Sequence, residues 1–300
     1  MITATGLTKR YGTHAAVDDL SFTVEPGRVT GFVGPNGAGK STTMRMMVGL
    51  TRPDAGEVRY HGVRYGDLRH PARVVGAVLD PRSMHPGRSA RNHLRAMAAL
   101  SDIPSTRVEA VLVDVGLESA MDQRAGGFSL GMRQRLALAG ALLGDPQVLL
   151  LDEPSNGLDP DGIRWLRNHL TAFAGRGGTV FVSSHLIGEL AMFADDLVVV
   201  GDGRLLAAGP VEEFTAGQAV IVSAETPQPD DLVRILARSD LDVSVEVEGD
   251  RVVVHGATKA EVSELAFENG IRLTELSETT RSLEDSLLDM TGASARFASA

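Results

Sequence analysis

Gly34-Pro35-Asn36-Gly37-Ala38-Gly39-Lys40-Ser41 is the stretch on which the fold turns. It fits G-x-x-x-x-G-K-[ST], a loop that cradles nucleotide phosphates. Before it, Arg28 to Val33 reads as a buried strand. After it, Thr42 to Leu50 reads as a helix with apolar Met44, Met46, Met47 and Val48. Strand, glycine-rich loop and helix are the geometry this chemistry needs. Glycines let backbone N–H groups approach the phosphates, and the helix N-terminus adds partial positive charge. On this reading Gly34 to Thr42 hold the nucleotide, with Lys40 on the β/γ-phosphates and the Ser41 hydroxyl on Mg²⁺. The loop alone does not choose among motors, switches, kinases and transport ATPases.

The bulk properties narrow the field. Three hundred residues imply two domains. A composition 43% hydrophobic and 23% charged is that of an ordinary globular protein. Lys+Arg 29 against Asp+Glu 39 gives a net charge of −10, which argues against nucleic acid as a partner, since that needs a basic face. With no cysteine, neither a disulfide framework nor a thiolate metal site exists. Met1 to Gly6 lacks the charged start and apolar run of a signal peptide. No stretch approaches the 18 or so apolar residues of a membrane span, so any membrane part is expected from another chain.

Outward from the loop, the chain changes texture three times. Residues 1 to 33 alternate β-rich runs (Ile2–Thr5, Ala15–Val17, Leu20–Val24) with turn signals, and residues 56 to 63 read as a further hairpin strand. Val74 to Leu79 is a short apolar strand. From about 88 to 145 the pattern is helical: Asn92–Leu100, Thr106–Val115 and Gly131–Leu143, the last stopped by Gly144-Asp145-Pro146. Strand Val148–Leu151, helix Ile163–Phe173, strand Thr179–Val182 and a hairpin over Asp196–Gly209 then restore α/β order. Beyond Gly209-Pro210 come strand Gln218–Ser223, helix Asp230–Arg238, strands Val243–Val247 and Arg251–Val254, helix Lys259–Glu268 and strand Ile271–Leu276. That β-α-β-β-α-β order is ferredoxin-like. Ser282 to Met290 reads as a terminal helix. The expected class is α/β: a P-loop NTPase core with an N-terminal antiparallel β subdomain and an inserted all-α subdomain, plus a small α+β C-terminal domain. The expected domains are 1–215, with the helical insertion at about 88–145, then 216–292 and a frayed tail at 293–300.

Val148-Leu149-Leu150-Leu151-Asp152-Glu153 has the shape of a Walker B motif, an apolar strand ending in carboxylates. Asp152 would complete the Mg²⁺ shell and Glu153 would polarise the attacking water. Phe128-Ser129-Leu130-Gly131-Met132 resembles the signature of ABC-type ATPases, and Ser155-Asn156-Gly157-Leu158-Asp159-Pro160 resembles their D-loop. Ser183-Ser184-His185 resembles the switch histidine, and Tyr11 looks like the aromatic that stacks on adenine. Six ordered motifs spanning residues 11 to 185 identify residues 1 to about 215 as similar to that family.

The resemblance implies ATP and Mg²⁺ as ligands, and a homodimer in which Ser129 and Gly131 of one copy face the P-loop of the other. It also implies that His185 senses the γ-phosphate and that Asp159 couples the two sites. Asp159 reads equally well as the N-cap of the helix beginning at Pro160, and Tyr11 as a hairpin aromatic. Two positions depart from the family: Met132 replaces the final Gln of the signature, and Asp80 replaces the Gln expected after the Val74–Leu79 strand. A carboxylate at 80 can still approach Mg²⁺ but donates nothing, so hydrolysis is expected to persist, with altered rate or coupling.

The implied function is the ATP-hydrolysing subunit of a transporter, an enzyme that drives a separate multi-span permease. It would sit in the cytoplasm, peripheral on the inner face of the membrane. The D-loop and signature style, the C-terminal appendage and Ser282-Leu283-Glu284-Asp285 resemble the drug- and antibiotic-export branch. Residues around 80 to 100 would receive the permease, and Arg82, His85, Arg88, Arg91, Asn92 and His93 read either as a docking surface or as a solvated face. A soluble non-transport ABC ATPase is the alternative, against which stand the acidic charge and the lack of a second cassette or long coiled coil. A hydrolysis-impaired regulatory protein is another, against which stand Glu153 and His185.

Overall fold

A computed structural model of the chain describes residues 1–80, 84–215, 220–239 and 241–280. It divides into two compact units that part after Val211. The first is built on two sheets. β1 (Ile2–Tyr11) and β2 (His14–Val24) form a long hairpin paired from Ile2↔Val24 to Tyr11↔His14. The sequence reads as shorter, broken strands because register shifts interrupt the pairing between Ala4 and Arg10. Each bulge changes the phase of the alternating apolar pattern, so a period-2 reading stops there. β3 (Val29–Val33) is buried at all five positions and leads through the glycine loop into α1 (Lys40–Met47). β4 (Ala55–Tyr60) and β5 (Val63–Arg64) are joined by a turn at His61 and Gly62, both at positive φ, so the run 56–63 is two strands rather than one. The antiparallel sheet has the order β2-β1-β4-β5.

The second sheet begins with β6 (Val75–Val78). The chain then leaves it for α2 (Ala90–Leu100), α3 (Thr106–Asp114) and α4 (Leu130–Leu142), and returns as β7 (Val148–Leu151). The insertion packs through residues at helical spacing, such as Ala90, Leu94 and Ala98, or Val108, Val111 and Leu112. Ser89 and Ser129 cap α2 and α4, accepting from the N–H of Asn92 and Met132 at 3.3 Å each. After β7 come α5 (Pro160–Gly175), β8 (Thr179–Ser184), α6 (Ile187–Ala191), β9 (Asp196–Gly201) and β10 (Arg204–Pro210). Helix α6 has only five residues, too few for periodicity to announce it. The sheet order is β10-β9-β3-β8-β7-β6, parallel throughout except for the edge strand β10. β3 is therefore central, and the glycine loop leaves the sheet beside the carboxyl ends of β7 and β8. Open parallel sheets bind ligands at that edge.

One core joins the two sheets. Phe22 of the antiparallel sheet stacks on Phe181 of β8 at 5.2 Å between centroids and lies 5.7 Å from Phe32 of β3, and Phe32 stacks on Phe181 at 4.9 Å. Tyr60 is fully buried there, and its hydroxyl donates to the Met47 carbonyl at 2.9 Å. Burial raises the Tyr60 pKa well above the usual phenol value, so the hydroxyl stays a donor.

The second unit has its own core of Val222, Ala224, Leu232, Leu236, Val252, Val254, Val262 and Ala266. α7 (Val211–Thr215) leads into it, followed by β11 (Val220–Glu225), α8 (Pro229–Leu236), β12 (Ser244–Glu248), β13 (Arg251–His255), α9 (Lys259–Glu268) and β14 (Glu275–Thr280). The sheet order β12-β13-β11-β14, antiparallel throughout, is that of a ferredoxin-like fold. Its last strand starts four residues later than the expected Ile271–Leu276. Ile271 and Leu273 alternate like a strand, but they plug the core from a loop, and the polar residues after them do the pairing. The expected helix Ser282–Met290 and the tail from 293 lie outside the described residues.

Phe181→Ala should lower the stability of the first unit by about 3–5 kcal/mol, because it removes the ring that both other phenylalanines touch. Urea unfolding followed by Trp165, the single tryptophan, measures this.

Candidate functional site

The loop after β3 takes its shape from backbone conformations that favour glycine. Gly37 and Gly39 sit at φ 86° and 94°. A Cβ on Gly39 would strike the Ala16 carbonyl, whereas one on Gly37 would meet nothing within 4 Å, so at Gly37 the left-handed φ alone favours glycine. α1 starts without a side-chain cap and with no acidic residue in its first turn, so its N-terminal dipole meets the cleft without a carboxylate against it.

Lys40 is the first residue of that helix and is 6% exposed. Its ammonium donates to the carbonyls of Gly34 at 2.7 Å and Pro35 at 3.2 Å, and lies 3.6 Å from Glu153 Oε1. Burial lowers the Lys40 pKa, and the Glu153 carboxylate opposes that shift. Gly34 and Pro35 thus act as acceptors beneath the loop, and Ala38 is buried within it.

Glu153 follows β7 in a left-handed conformation, φ 48°. Its N–H donates to Ser183 Oγ at 2.9 Å, and the same hydroxyl donates to Asp152 Oδ1 at 2.6 Å. Ser183 is completely buried at the end of β8. Glu153 Oε2 accepts from His185 Nδ1 at 2.7 Å, which places a proton on that nitrogen. Lys40, Glu153 and His185 therefore form one chain of contacts at the carboxyl ends of three strands.

These three residues line a cleft of about 470 Å³ together with Tyr11, Asn36, Gly37, Gly39, Ser41 and Thr42. His14, Ala16 and Asn156 also line it and were not anticipated. His14 is the cross-strand partner of Tyr11, so the Gly12-Thr13 turn was the signal for it. In the sequence Ser183 reads only as a flank of His185, because its role depends on β8 lying beside β7.

The remaining expected residues lie elsewhere. Asp152 stands behind Glu153, held by Ser183. Asp80 follows β6 and lines a separate cavity of about 280 Å³ with His93, Met97 and Leu136. Ser129 is an exposed cap with Gly131 beside it, neither lining the cleft of the same chain. Met132 supports the cap through its backbone N–H, which needs no particular side chain. Asp159 caps α5, accepting from the Gly162 N–H at 2.7 Å. In the basic run, Arg91 is tied to Glu109 and Asp122 and His93 is half-buried, while Arg82 lies outside the described residues.

Comparison with known proteins shows the family to which the chain belongs. A family profile described as ABC transporter matches residues 17–156, and one described as a domain of unknown function matches 220–284. The uncharacterized ABC transporter ATP-binding protein YhcH of Bacillus subtilis (strain 168) is 36% identical, covering 95% of this chain and 94% of its own length. The bacitracin transport ATP-binding protein BcrA of Bacillus licheniformis is 33% identical over 97% of each chain. A solved dimeric bacterial ABC transporter cassette superposes with a TM-score of 0.64 at 23% identity, covering 70% of this chain and 99% of its own.

Ser183→Ala removes the hydroxyl that holds both consecutive carboxylate residues. ATP affinity should stay within about twofold while kcat falls about tenfold. Equilibrium nucleotide binding and steady-state phosphate release check the two halves of this expectation.

Proposed function

The chain belongs to the ATP-binding, ATP-hydrolysing subunits of ABC transporters, and on that footing we propose that it drives export of antibiotic-like compounds through a separate membrane permease. The observation that carries the mechanism is that Lys40, Glu153 and His185 converge on one cleft while the capped N-terminus at Ser129 stays exposed outside it. A helix N-terminus with a serine hydroxyl suits an anionic phosphate. Here it lines no part of its own chain's cleft, so two copies bound head to tail would each complete the other's site.

In this reading Tyr11 stacks on the base, and Gly34 to Thr42 wrap the phosphates. Lys40 exchanges the Gly34 and Pro35 carbonyls for phosphate oxygens. Glu153, released from Lys40, accepts a proton from the attacking water, and His185 orients Glu153 and contacts the γ-phosphate. Ser129 and Gly131 of the second copy receive that phosphate from the other side. Asp159, already the cap of α5, lies near the seam. Mg²⁺ takes few protein ligands and relies on phosphate oxygens, which fits a donor set of Ser41 and Asp152. Asp80 would join only as a more distant carboxylate. The ion would neutralise phosphate charge.

Export is supported by the length over which the chain matches a bacitracin transport ATP-binding protein. No helix among the described residues is long and apolar enough to cross a membrane. Docking on a permease would hold the chain at the cytoplasmic face of the membrane. The ferredoxin-like unit would be an accessory domain, outside the catalytic cycle.

Glu153→Gln should form an ATP-dependent dimer on size exclusion and lose at least about a hundredfold in turnover. A parent chain that shows no ATPase activity, and that never co-purifies with a multi-span membrane protein, would overturn the transport reading.

A further inference from the structure

The apolar anchors of α4 are unevenly placed. Its buried apolar residues are Leu136, Leu138, Ala139 and Ala141, all in the C-terminal half. The first turn, which presents Ser129, holds Leu130 at 42% exposure. Buried Phe128 and Arg133, which donates to the Phe128 and Gly126 carbonyls at 3.1 and 3.3 Å, tie that turn to the loop before it, and a contact beyond the insertion is needed to fix it to α5.

Arg135 supplies it. Its guanidinium lies over the ring of Trp165 on α5, 4.0 Å from the centroid, and donates from Nη1 to the Val115 carbonyl at 2.9 Å. Trp165 packs in turn on His169, 4.4 Å away, and His169 Nε2 sits 2.8 Å from the Asp114 carbonyl. One turn nearer the cap, Leu130 lies so close to Gly157 that a Cβ there would collide with it. A Cβ on Gly131 would stand 3.7 Å from Leu158. The N-terminal half of α4 is thus held against the Gly157-Leu158 loop and α5. Burial lowers the Arg135 pKa, and the charge of Asp159 opposes that shift.

We propose that Arg135 and Trp165 form a positioning clamp that fixes the Ser129 cap of α4 to the segment carrying Asp159, so that both meet a second copy as one rigid surface. The clamp rests on the reading that Ser129 completes the ATP site of that copy. Neither residue touches the nucleotide; both act through the helix. A planar guanidinium stacks on an indole face where an ammonium cannot reproduce the fit.

The test uses the full chain with Trp165→Ala, Trp165→Phe, Arg135→Lys, Ser129→Ala and the double variant Ser129→Ala/Trp165→Ala. Folding is checked by circular dichroism and thermal melting. ATP affinity is read with a fluorescent ATP analogue at protein concentrations too low for dimer closure. For Trp165→Ala, affinity should stay within about twofold while kcat falls about tenfold, and the double variant should be no slower than Ser129→Ala. Trp165→Phe should recover about half of the lost rate, and Arg135→Lys should lose rate despite keeping its charge. Parental kcat in Trp165→Ala, a multiplicative loss in the double variant, or affinity falling together with kcat would overturn the clamp. If Trp165→Ala does not fold, Arg135→Lys decides, and a parental kcat there overturns the clamp. A parent that forms no ATP-dependent dimer would overturn the composite-site reading, and the clamp with it.

Discussion

The level ending of three parallel strands is the constraint on which the site depends. Val33 pairs with Ser184, and Leu151 pairs with Val182. That register sets Asp152 opposite Ser183 and brings Glu153 beside the loop that follows β3. A slip of one residue in either pairing would turn the end residues to the opposite face. The register is protected by burial: β3, β7 and β8 have no exposed residue, so any slip would place a different set of side chains in both layers at once. The Phe22, Phe32 and Phe181 cluster adds a second restraint by pinning β3 and β8 to the antiparallel sheet, whose hairpin delivers Tyr11 and His14 to the same cleft.

The charge arrangement in the cleft follows from the same geometry. A buried ammonium is costly unless it finds acceptors. Lys40 finds two carbonyls of its own loop and one carboxylate, and that carboxylate is shared with His185. Each polar group is satisfied by another that chemistry would otherwise use. On the proposed function, an incoming triphosphate would bring more negative charge than one glutamate can match, and the competition for Lys40 would favour it. Glu153 cannot remain against both Lys40 and a phosphate without repulsion. Its left-handed backbone is tied through its N–H to Ser183, which would leave the side chain as the part free to move.

What was legible in the sequence was local. The glycine loop, the apolar run before Asp152 and the Asp159 cap each announce themselves within a dozen residues, because backbone conformation and helix capping are short-range effects. The C-terminal β-α-β-β-α-β order was legible for the same reason. Ser183 was not, since a serine before a histidine means nothing until β8 is known to lie against β7. The β1–β2 bulges hid two long strands behind a broken alternation, and Ile271-Arg272-Leu273 imitated a strand while filling a core. Asp80 was placed near Mg²⁺ by analogy with its position in a motif. The fold sends it to a neighbouring cavity with His93 and Met97.

The two departures from the family pattern differ in physical weight. At Met132 the residue that matters to the cap is Ser129, and the group it accepts from is a backbone N–H that any residue but proline provides. The cap therefore survives loss of the glutamine, and what changes is only what the side chain offers to a facing surface. At Asp80 the side chain itself is what differs, two residues past the end of a strand whose neighbour leads to Asp152, whose N–H donates to the Val78 carbonyl at 2.8 Å. A carboxylate there lacks the donor of an amide and faces a cavity with His93 and Met97. Of the two, Asp80 is the departure for which the backbone cannot stand in.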